Sequence, residues 1–174
     1  MCTYGFVEKR DLRRVIDGLS TGAVILIGTS LGAAVALQEA ASDPRVPTVV
    51  AAESFSDLRT VATERAPWYL PGPVIRKALI VAEQRGRFLV DAVSPLQAAR
   101  TITAPVLLIH GAEDRETPPA HSQRIFEALT GPRRLMLVPG AGHNQSLYGP
   151  GVWGEIERWI EEALELRERR FAAP

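Results

Sequence analysis

One serine in the chain has the neighbours that a nucleophile needs. Ser30 is the centre of Gly28-Thr29-Ser30-Leu31-Gly32, which follows an apolar run at residues 24–27 and opens an alanine-rich stretch at residues 31–41. A serine at a tight turn from a buried strand into a helix lies in strained backbone, and small neighbours let adjacent chain pass close to it. Its hydroxyl then projects above the sheet, close to the helix N-terminus. The spacing G-x-S-x-G in this context predicts that Ser30 attacks an acyl carbonyl.

A serine hydroxyl is a weak nucleophile until a base removes its proton, and the chain has three histidines. His143 lies in the loop at residues 139–145, after the fourth apolar segment, at the sheet edge where Ser30 also emerges. His110 closes a strand, a position that favours a structural role. His121 is expected to be exposed near the start of a helix. We therefore predict that His143 is the base.

The base needs a carboxylate to orient its ring. Asp114 follows the third apolar segment in a loop at the same sheet edge, with Glu113 and Glu116 as neighbours. Glu53 ends the second segment and is a rival for the same role. Asp114 gives the chain order Ser, Asp, His, and it is the residue that we predict. From the residues alone, Glu53 stays open.

Strands and helices must alternate to hold these residues at one edge. Apolar runs predict strands at residues 24–27, 48–52, 106–109 and 135–138, and periodicity predicts helices at 8–19, 31–41, 120–129 and 152–168. This alternation predicts an α/β fold with about four parallel strands, right-handed crossovers and flanking helices. Two helices are predicted to bury one face each: Leu12, Val15, Ile16 and Leu19 in the first, and Trp153, Ile156, Trp159, Ile160 and Ala163 in the last.

Residues 55–102 form a long insertion between the second and third predicted strands. It contains a proline-rich lead-in and then a helical stretch at about residues 74–93. An insertion of this length is either cap-like, covering a functional site, or a crossover helix. Trp68, Tyr69 and Leu70 form an apolar cluster between prolines, and we predict that they line a substrate pocket above Ser30. The alternative is that they only pack the insertion onto the sheet.

Composition narrows the possible partners. The formal net charge is zero and no long basic stripe occurs, so neither nucleic acid nor a membrane surface is expected as a partner. Neither G-x-x-x-x-G-K-[S/T] nor G-x-G-x-x-G is present, which disfavours nucleotide binding. The start has no apolar signal segment, and Cys2 is the single cysteine. We therefore expect a cytoplasmic protein without a disulfide or a thiolate metal cluster.

Three segments carry a resemblance to a known family: GTSLG, SPLQAARTITAPVLLIHGAED, and LVPGAGHN followed by a tryptophan-containing helix. With them, residues 4–164 resemble the later part of an α/β-hydrolase of the dienelactone-hydrolase and serine-peptidase-like type. The resemblance implies a triad of Ser30, Asp114 and His143, without metal or cofactor. It also implies a carboxylesterase-type serine hydrolase that cleaves a small-molecule acyl ester.

The resemblance implies a departure from the family's fold as well. The family's sheet has further strands before the nucleophile, so residues 1–174 are predicted to form one truncated domain that lacks them. The Leu31 amide is the first oxyanion donor, and the second normally follows one of the strands that are absent. A partner chain, or the chain's own residues near Tyr4 or Gly5, would have to supply it. The alternative function is a non-catalytic remnant of the fold that acts as an interaction module.

The early position of Ser30 also predicts an assembly. An apolar strand at residues 24–27 with a free row of N–H and C=O groups is a template for pairing with another chain. We therefore predict a homodimer, formed through this edge strand or through an exchange of elements. In the monomeric alternative, residues 1–6 return as a short edge strand.

Overall fold

The computed structural model describes residues 2–20 and 22–172, except for the side chains of residues 170–172. It contains a parallel sheet of four strands in the order β1-β2-β3-β4. The strands are β1 (Leu26–Thr29), β2 (Val49–Ala52), β3 (Val106–Gly111) and β4 (Arg133–Val138). The helices are α1 (Glu8–Asp17), α2 (Leu31–Ala40), α3 (Leu58–Glu64), α4 (Gly72–Gly86), α5 (Pro95–Ala99), α6 (Ala120–Ala128) and α7 (Val152–Ala172). The predicted α/β class with four parallel strands and flanking helices is confirmed.

The two central strands, β2 and β3, are buried along their whole length, as the apolar runs at the start of each predict. Their alternate residues belong to two separate apolar clusters. One cluster packs the sheet against α1, α2, α5 and α6, and the other packs its opposite face against α7. The sheet therefore lies between two layers of helices, and its interior strands give the site a rigid base.

The register of the strands brings their C-terminal ends to one edge. Thr29 pairs with Ala52, Ala52 with Ile109, and Ile109 with Met136. The loops that follow the strands therefore emerge at the same edge. Open parallel sheets have their ligand-binding and active sites at this edge.

The insertion at residues 55–102 contains α3, α4, a 3₁₀ turn (Val90–Ala92) and α5. Asp57 caps α3 by accepting a hydrogen bond from the Thr60 amide at 2.8 Å, and Ser94 caps α5 by accepting one from the Gln97 amide at 3.1 Å. α3 packs into a third apolar cluster with residues of α2 and of the segment after α4. α4 itself has no buried residue.

Some details differ from the sequence-based expectations. β1 begins two residues later than predicted, at Leu26, because the parallel ladder with β2 starts there. Val15, Leu19 and Trp153 are exposed, so their predicted burial is wrong. Ile16 of α1 and Trp159 of α7 carry the helix packing instead. Helical spacing identified the correct faces but overestimated how much of each face the sheet covers.

In the described chain, β1 lies at one edge of the sheet, and Ile27 is exposed there. Residues 2–6 contain no strand, so the monomeric alternative fails over the described part of that segment; Met1 lies outside it. The homodimer through residues 24–27 or through exchanged elements stays a prediction. Within the described residues, none of the helices has both the length and the apolar character needed to span a membrane.

Candidate active site

Ser30 lies at the tip of the turn between β1 and α2, with a φ of 50° that non-glycine residues rarely adopt. The turn is tight enough that a Cβ on Gly28 would meet backbone atoms of Gly32 and Ala33 at 2.5–2.6 Å. A Cβ on Gly32 would meet nothing within 4 Å. The first glycine of the motif is therefore required by packing, and it is the one that lets the helix start so close to the strand.

The structure brings the three predicted side chains into one hydrogen-bond chain. Ser30 Oγ lies 3.0 Å from His143 Nε2, and His143 Nδ1 lies 2.7 Å from Asp114 Oδ2. The Asp114 side chain is fully buried, and that of His143 is nearly so. Because an ionised carboxylate only accepts, the Nδ1 proton faces Asp114 and leaves the Nε2 lone pair toward Ser30.

Asp114 is fixed by its own loop. Its Oδ1 accepts hydrogen bonds from the amides of Glu116 and Thr117, both at 2.9 Å. His110 is fully buried below it, with Nε2 2.7 Å from the Thr117 carbonyl and 3.3 Å from Asp114 Oδ2. His110 Nδ1 lies 2.7 Å from Ser122 Oγ. His110 therefore supports the loop that carries Asp114, in line with the structural role expected from its position.

Glu53, the rival acid, makes no hydrogen bond to His143 in the described structure. Its side chain is buried, and Oε1 accepts from the amides of Gln145 and Ser146 at 3.1 and 2.9 Å. Oε2 accepts from Thr29 Oγ1 at 3.2 Å. Glu53 thus joins the residue before Ser30 to the residues after His143. Sequence reasoning identified its position at the strand end but missed this positioning role, since the contacts span 92 and 93 residues.

His121 contradicts its predicted exposure, because it is fully buried. Its Nδ1 lies 3.0 Å from the Ser56 amide and 2.9 Å from Ser56 Oγ, and its Nε2 lies 2.8 Å from Glu64 Oε2. We call this group the Ser56–His121–Glu64 cluster. Burial lowers the pKa of His121. The N-terminus of α6 packs against the segment after β2, a contact that no local sequence signal reveals.

A cavity of about 440 Å³ opens beside Ser30, between α3 and α4. We call it the α3–α4 cavity. Leu70 is in its lining, but Trp68 and Tyr69 are not; they are 95% and 66% exposed and contact each other edge to face. The structure therefore places Leu70 at the cavity and these two aromatic residues outside its lining. The lining is made by Tyr4, Ser30, Leu31, Phe55, Leu58, Val61, Ala62, Arg65, Ala66, Leu70, Val74, Ile75, Ala78, Leu79, Ala82, Phe88 and Val90.

The N-terminal turn reaches the same cavity through Tyr4, whose φ is 56°. Glu8 holds this turn by accepting hydrogen bonds from the Thr3 amide and hydroxyl at 2.7 and 2.6 Å and from the Gly5 amide at 2.9 Å. Burial opposes ionisation of Glu8, but the bonds from Thr3 and Gly5 outweigh it and lower its pKa to about 2. The Gly5 amide thus donates to Glu8, and Tyr4 is the residue of this turn that lines the cavity with Ser30.

Backbone amides at the start of α2 provide a polar group for an oxyanion. The first amides of a helix have no partner within it, and no hydrogen bond from Leu31 N is present in the described structure. The positive end of the α2 dipole lies at the same place. Among the described residues, no group of three or more His, Cys, Asp or Glu side chains is arranged to hold a metal ion.

The sequence profile described as "Alpha/beta hydrolase family" matches residues 2–150, which is most of the chain. The chain belongs to the α/β hydrolase family. Its strand order and the turn at Ser30 are those of the later part of that fold, as the resemblance implied.

Two curated relatives of this α/β hydrolase are named as uncharacterized proteins. Rv2307c of Mycobacterium tuberculosis is 32% identical over 145 residues, covering 82% of this chain and 46% of the relative. YqkD of Bacillus subtilis is 30% identical over 154 residues, covering 83% and 50%. The chain thus spans about half the length of the curated relatives it matches.

A solved structure confirms the fold. The esterase Pf2001 of Pyrococcus furiosus superposes with a TM-score of 0.69 at 18% identity, over 93% of this chain and 64% of that one. An identity this low shows that the two chains share their architecture. The chemistry of this α/β hydrolase has to be argued from its own residues.

Proposed function

We propose that this chain is a carboxylesterase-type serine hydrolase that cleaves a small-molecule acyl ester. Ser30 Oγ attacks the acyl carbonyl while His143 Nε2 accepts its proton. Asp114 orients the His143 ring and stabilises its cationic form. The Leu31 N–H donates to the oxyanion that develops on the carbonyl oxygen. His143 then gives the proton to the alcohol oxygen as the acyl C–O bond breaks, which leaves the acyl group on Ser30 Oγ as an ester. Water attacks this ester with the same help from His143, which releases the acid and restores Ser30.

The observation that carries this proposal is the continuous hydrogen-bond chain from Ser30 through both ring nitrogens of His143 to Asp114. Its two contacts of 3.0 and 2.7 Å lie within the range that proton transfer requires. The buried carboxylate keeps the ring in the one tautomer that can accept the serine proton. Membership of the hydrolase family supports the same conclusion.

The second oxyanion donor is assigned to Tyr4 within this proposal. Tyr4 lines the cavity with Ser30 and Leu31, whereas the Gly5 amide already donates to Glu8. Removing one oxyanion donor from an enzyme lowers its rate by about 10²–10³. A Tyr4→Phe variant tests whether the phenol is the group involved, because it leaves the amide in place.

Covalent labelling by a fluorophosphonate probe tests the proposal. The folded chain should gain one adduct, and peptide mass spectrometry should place it on Ser30. The peptide that contains the buried Ser56 is the internal control and should stay unmodified. A folded chain that takes no label, beside a serine hydrolase that does, would favour the alternative of a non-catalytic interaction module.

A further inference from the structure

The α3–α4 cavity has a lining that suits hydrocarbon. The lining positions along α3 and the residues after it are 58, 61, 62, 65 and 66, and those along α4 are 74, 75, 78, 79 and 82. Each set lies on one face of its helix, since it repeats at intervals of three and four residues. The two helices therefore present facing apolar stripes with a cavity of about 440 Å³ between them.

The charged member of this lining, Arg65, is bonded elsewhere. Its Nε donates to the Glu116 carbonyl at 2.8 Å and its Nη2 to Thr117 Oγ1 at 2.6 Å. The guanidinium thus stabilises the loop after β3 by hydrogen bonding. α4 has no buried residue: Leu79 packs, partly buried, against the third apolar cluster, and the rest of the apolar stripe borders open space. An apolar stripe in that position is stabilised when a hydrocarbon ligand covers it.

The position of the cavity relative to His143 determines which part of an ester it receives. Ser30 and Leu31 are in the lining, whereas His143 is not. In the proposed reaction the leaving alcohol takes its proton from His143 Nε2, so the alcohol portion must lie on the histidine side of Ser30. The acyl portion then extends to the opposite side, into the α3–α4 cavity.

We infer that the α3–α4 cavity binds the acyl chain of the substrate, and that this chain is an alkyl chain of several methylene groups. The inference rests on the proposed function. Each methylene transferred from water into the cavity raises kcat/KM about fourfold. Esters of acetic acid are therefore poor substrates, whether the longer acyl group comes from a free ester or from a lipid.

Two isomeric esters test the inference on the unmodified chain. Ethyl octanoate carries its long chain on the acyl side, and octyl acetate carries it on the alcohol side. Both are supplied as dissolved monomers, and acid release is measured by titration. We expect kcat/KM for ethyl octanoate to exceed that for octyl acetate by at least about 100-fold. Equal values, or a preference for octyl acetate, would overturn the inference.

Variants that fill the cavity provide the second test. Ala78→Phe and Ala82→Phe place a ring in the space that the acyl chain would occupy, and Gln84→Phe places the same ring on the exposed part of α4 outside the lining. We expect the first two variants to lower kcat/KM for ethyl octanoate at least about 30-fold more than they lower kcat/KM for ethyl acetate. Gln84→Phe should change neither. Equal losses on both esters would contradict the inference.

Calorimetry separates this inference from the proposed function. N-ethyloctanamide resists hydrolysis and should bind the unmodified chain, whereas N-ethylacetamide should not bind measurably. Ala82→Phe should abolish binding of the longer amide. If Ser30 resists fluorophosphonate but the amide binds in this pattern, the proposed function fails, and only the binding of an acyl chain in the cavity is upheld. If Ser30 is labelled but the chain binds both amides equally or binds neither, the inference is overturned and the proposed function stands.

Discussion

Two hydrogen-bond chains of the described structure, each running from a serine through a histidine to a carboxylate, can be compared. In one, His143 joins Ser30 to Asp114 with contacts of 3.0 and 2.7 Å. In the other, His121 joins Ser56 to Glu64 with contacts of 2.9 and 2.8 Å. By residue type and distance alone the two groups are nearly indistinguishable.

The ring orientations differ, and so does the use of the nitrogen that faces the serine. Ser30 contacts Nε2 of His143, which has no other hydrogen bond in the described structure. Ser56 Oγ contacts Nδ1 of His121. The same nitrogen also accepts a hydrogen bond from the Ser56 amide at 3.0 Å and lies 2.9 Å from Arg124 Nη2. A ring nitrogen has one lone pair, so the backbone already occupies the acceptor in the second group. That histidine is a structural acceptor and cannot take a serine proton.

The surroundings differ as well. Ser30 is partly exposed, borders the α3–α4 cavity and has an unpaired helix amide beside it. Ser56 is fully buried and its hydroxyl also reaches Asp57 at 2.9 Å. A serine, a histidine and a carboxylate therefore indicate catalysis only where the histidine lone pair is free and the serine oxygen has room for a substrate.

The largest expected effect separates the two serines. Ser30→Ala should lower kcat/KM for an ester at least about 10⁴-fold, because it removes the attacking atom. Ser56→Ala should leave kcat/KM within about threefold and lower the free energy of unfolding by about 1 kcal/mol. Ester hydrolysis and urea unfolding of both variants provide the measurements. Comparable losses of activity in the two variants would contradict the distinction.

Replacing the carboxylate should likewise lower kcat in the first group, at Asp114, and not in the second, at Glu64. Asp114→Asn replaces the acceptor for His143 Nδ1–H with a group that favours the wrong tautomer, so kcat should fall about 10³–10⁴-fold. Glu64→Gln keeps an acceptor for His121 at a partly exposed position and should change kcat less than about threefold. Steady-state kinetics with thermal unfolding as the folding control decides between them. A loss with Glu64→Gln as large as that with Asp114→Asn would remove the distinction.

Glu53 should affect catalysis through the group of Ser30, His143 and Asp114, because its hydrogen bonds reach the residues beside Ser30 and His143. Glu53→Gln places an amide where Thr29 and two backbone N–H groups now donate to a carboxylate, so the His143 loop loses part of its support. We expect kcat to fall about tenfold with KM nearly unchanged, because a small displacement of a reacting group is costly. Kinetics across pH provides the readout, since a purely structural loss would lower the active fraction without changing the profile.

The smallest expected effect is a dependence of stability on pH through His121. Burial holds its folded pKa below the ordinary value of 6.5, so the unfolded chain binds the proton more readily. This contribution to stability is fully present above about pH 6.5 and is lost as the pH falls through the folded pKa. Urea unfolding at pH 7.5 and 5.5 measures it. His121→Asn should flatten the difference, and an unchanged slope would rule out His121 as its source.

The sequence predicted features that depend on chain continuity. Ser30, Asp114 and His143 each follow a strand, so a parallel register is enough to bring them to one edge. The buried His121 and the loop contacts of Glu53 depend on segments that are distant in sequence, and no local pattern encodes them. Trp68 was misplaced for a related reason: an apolar cluster between prolines signals a compact turn, but the side to which it faces depends on tertiary packing.

The exposure of α4 has a consequence for the internal stability of the molecule. Separating this helix from the body would uncover little apolar area compared with α2, most of whose residues are buried. Local opening of α4 therefore costs much less free energy than unfolding of the sheet, and its amide hydrogens should exchange with solvent early, in a native-state opening of their own. Access to Ser30 and preservation of the core are thus governed by two separate equilibria.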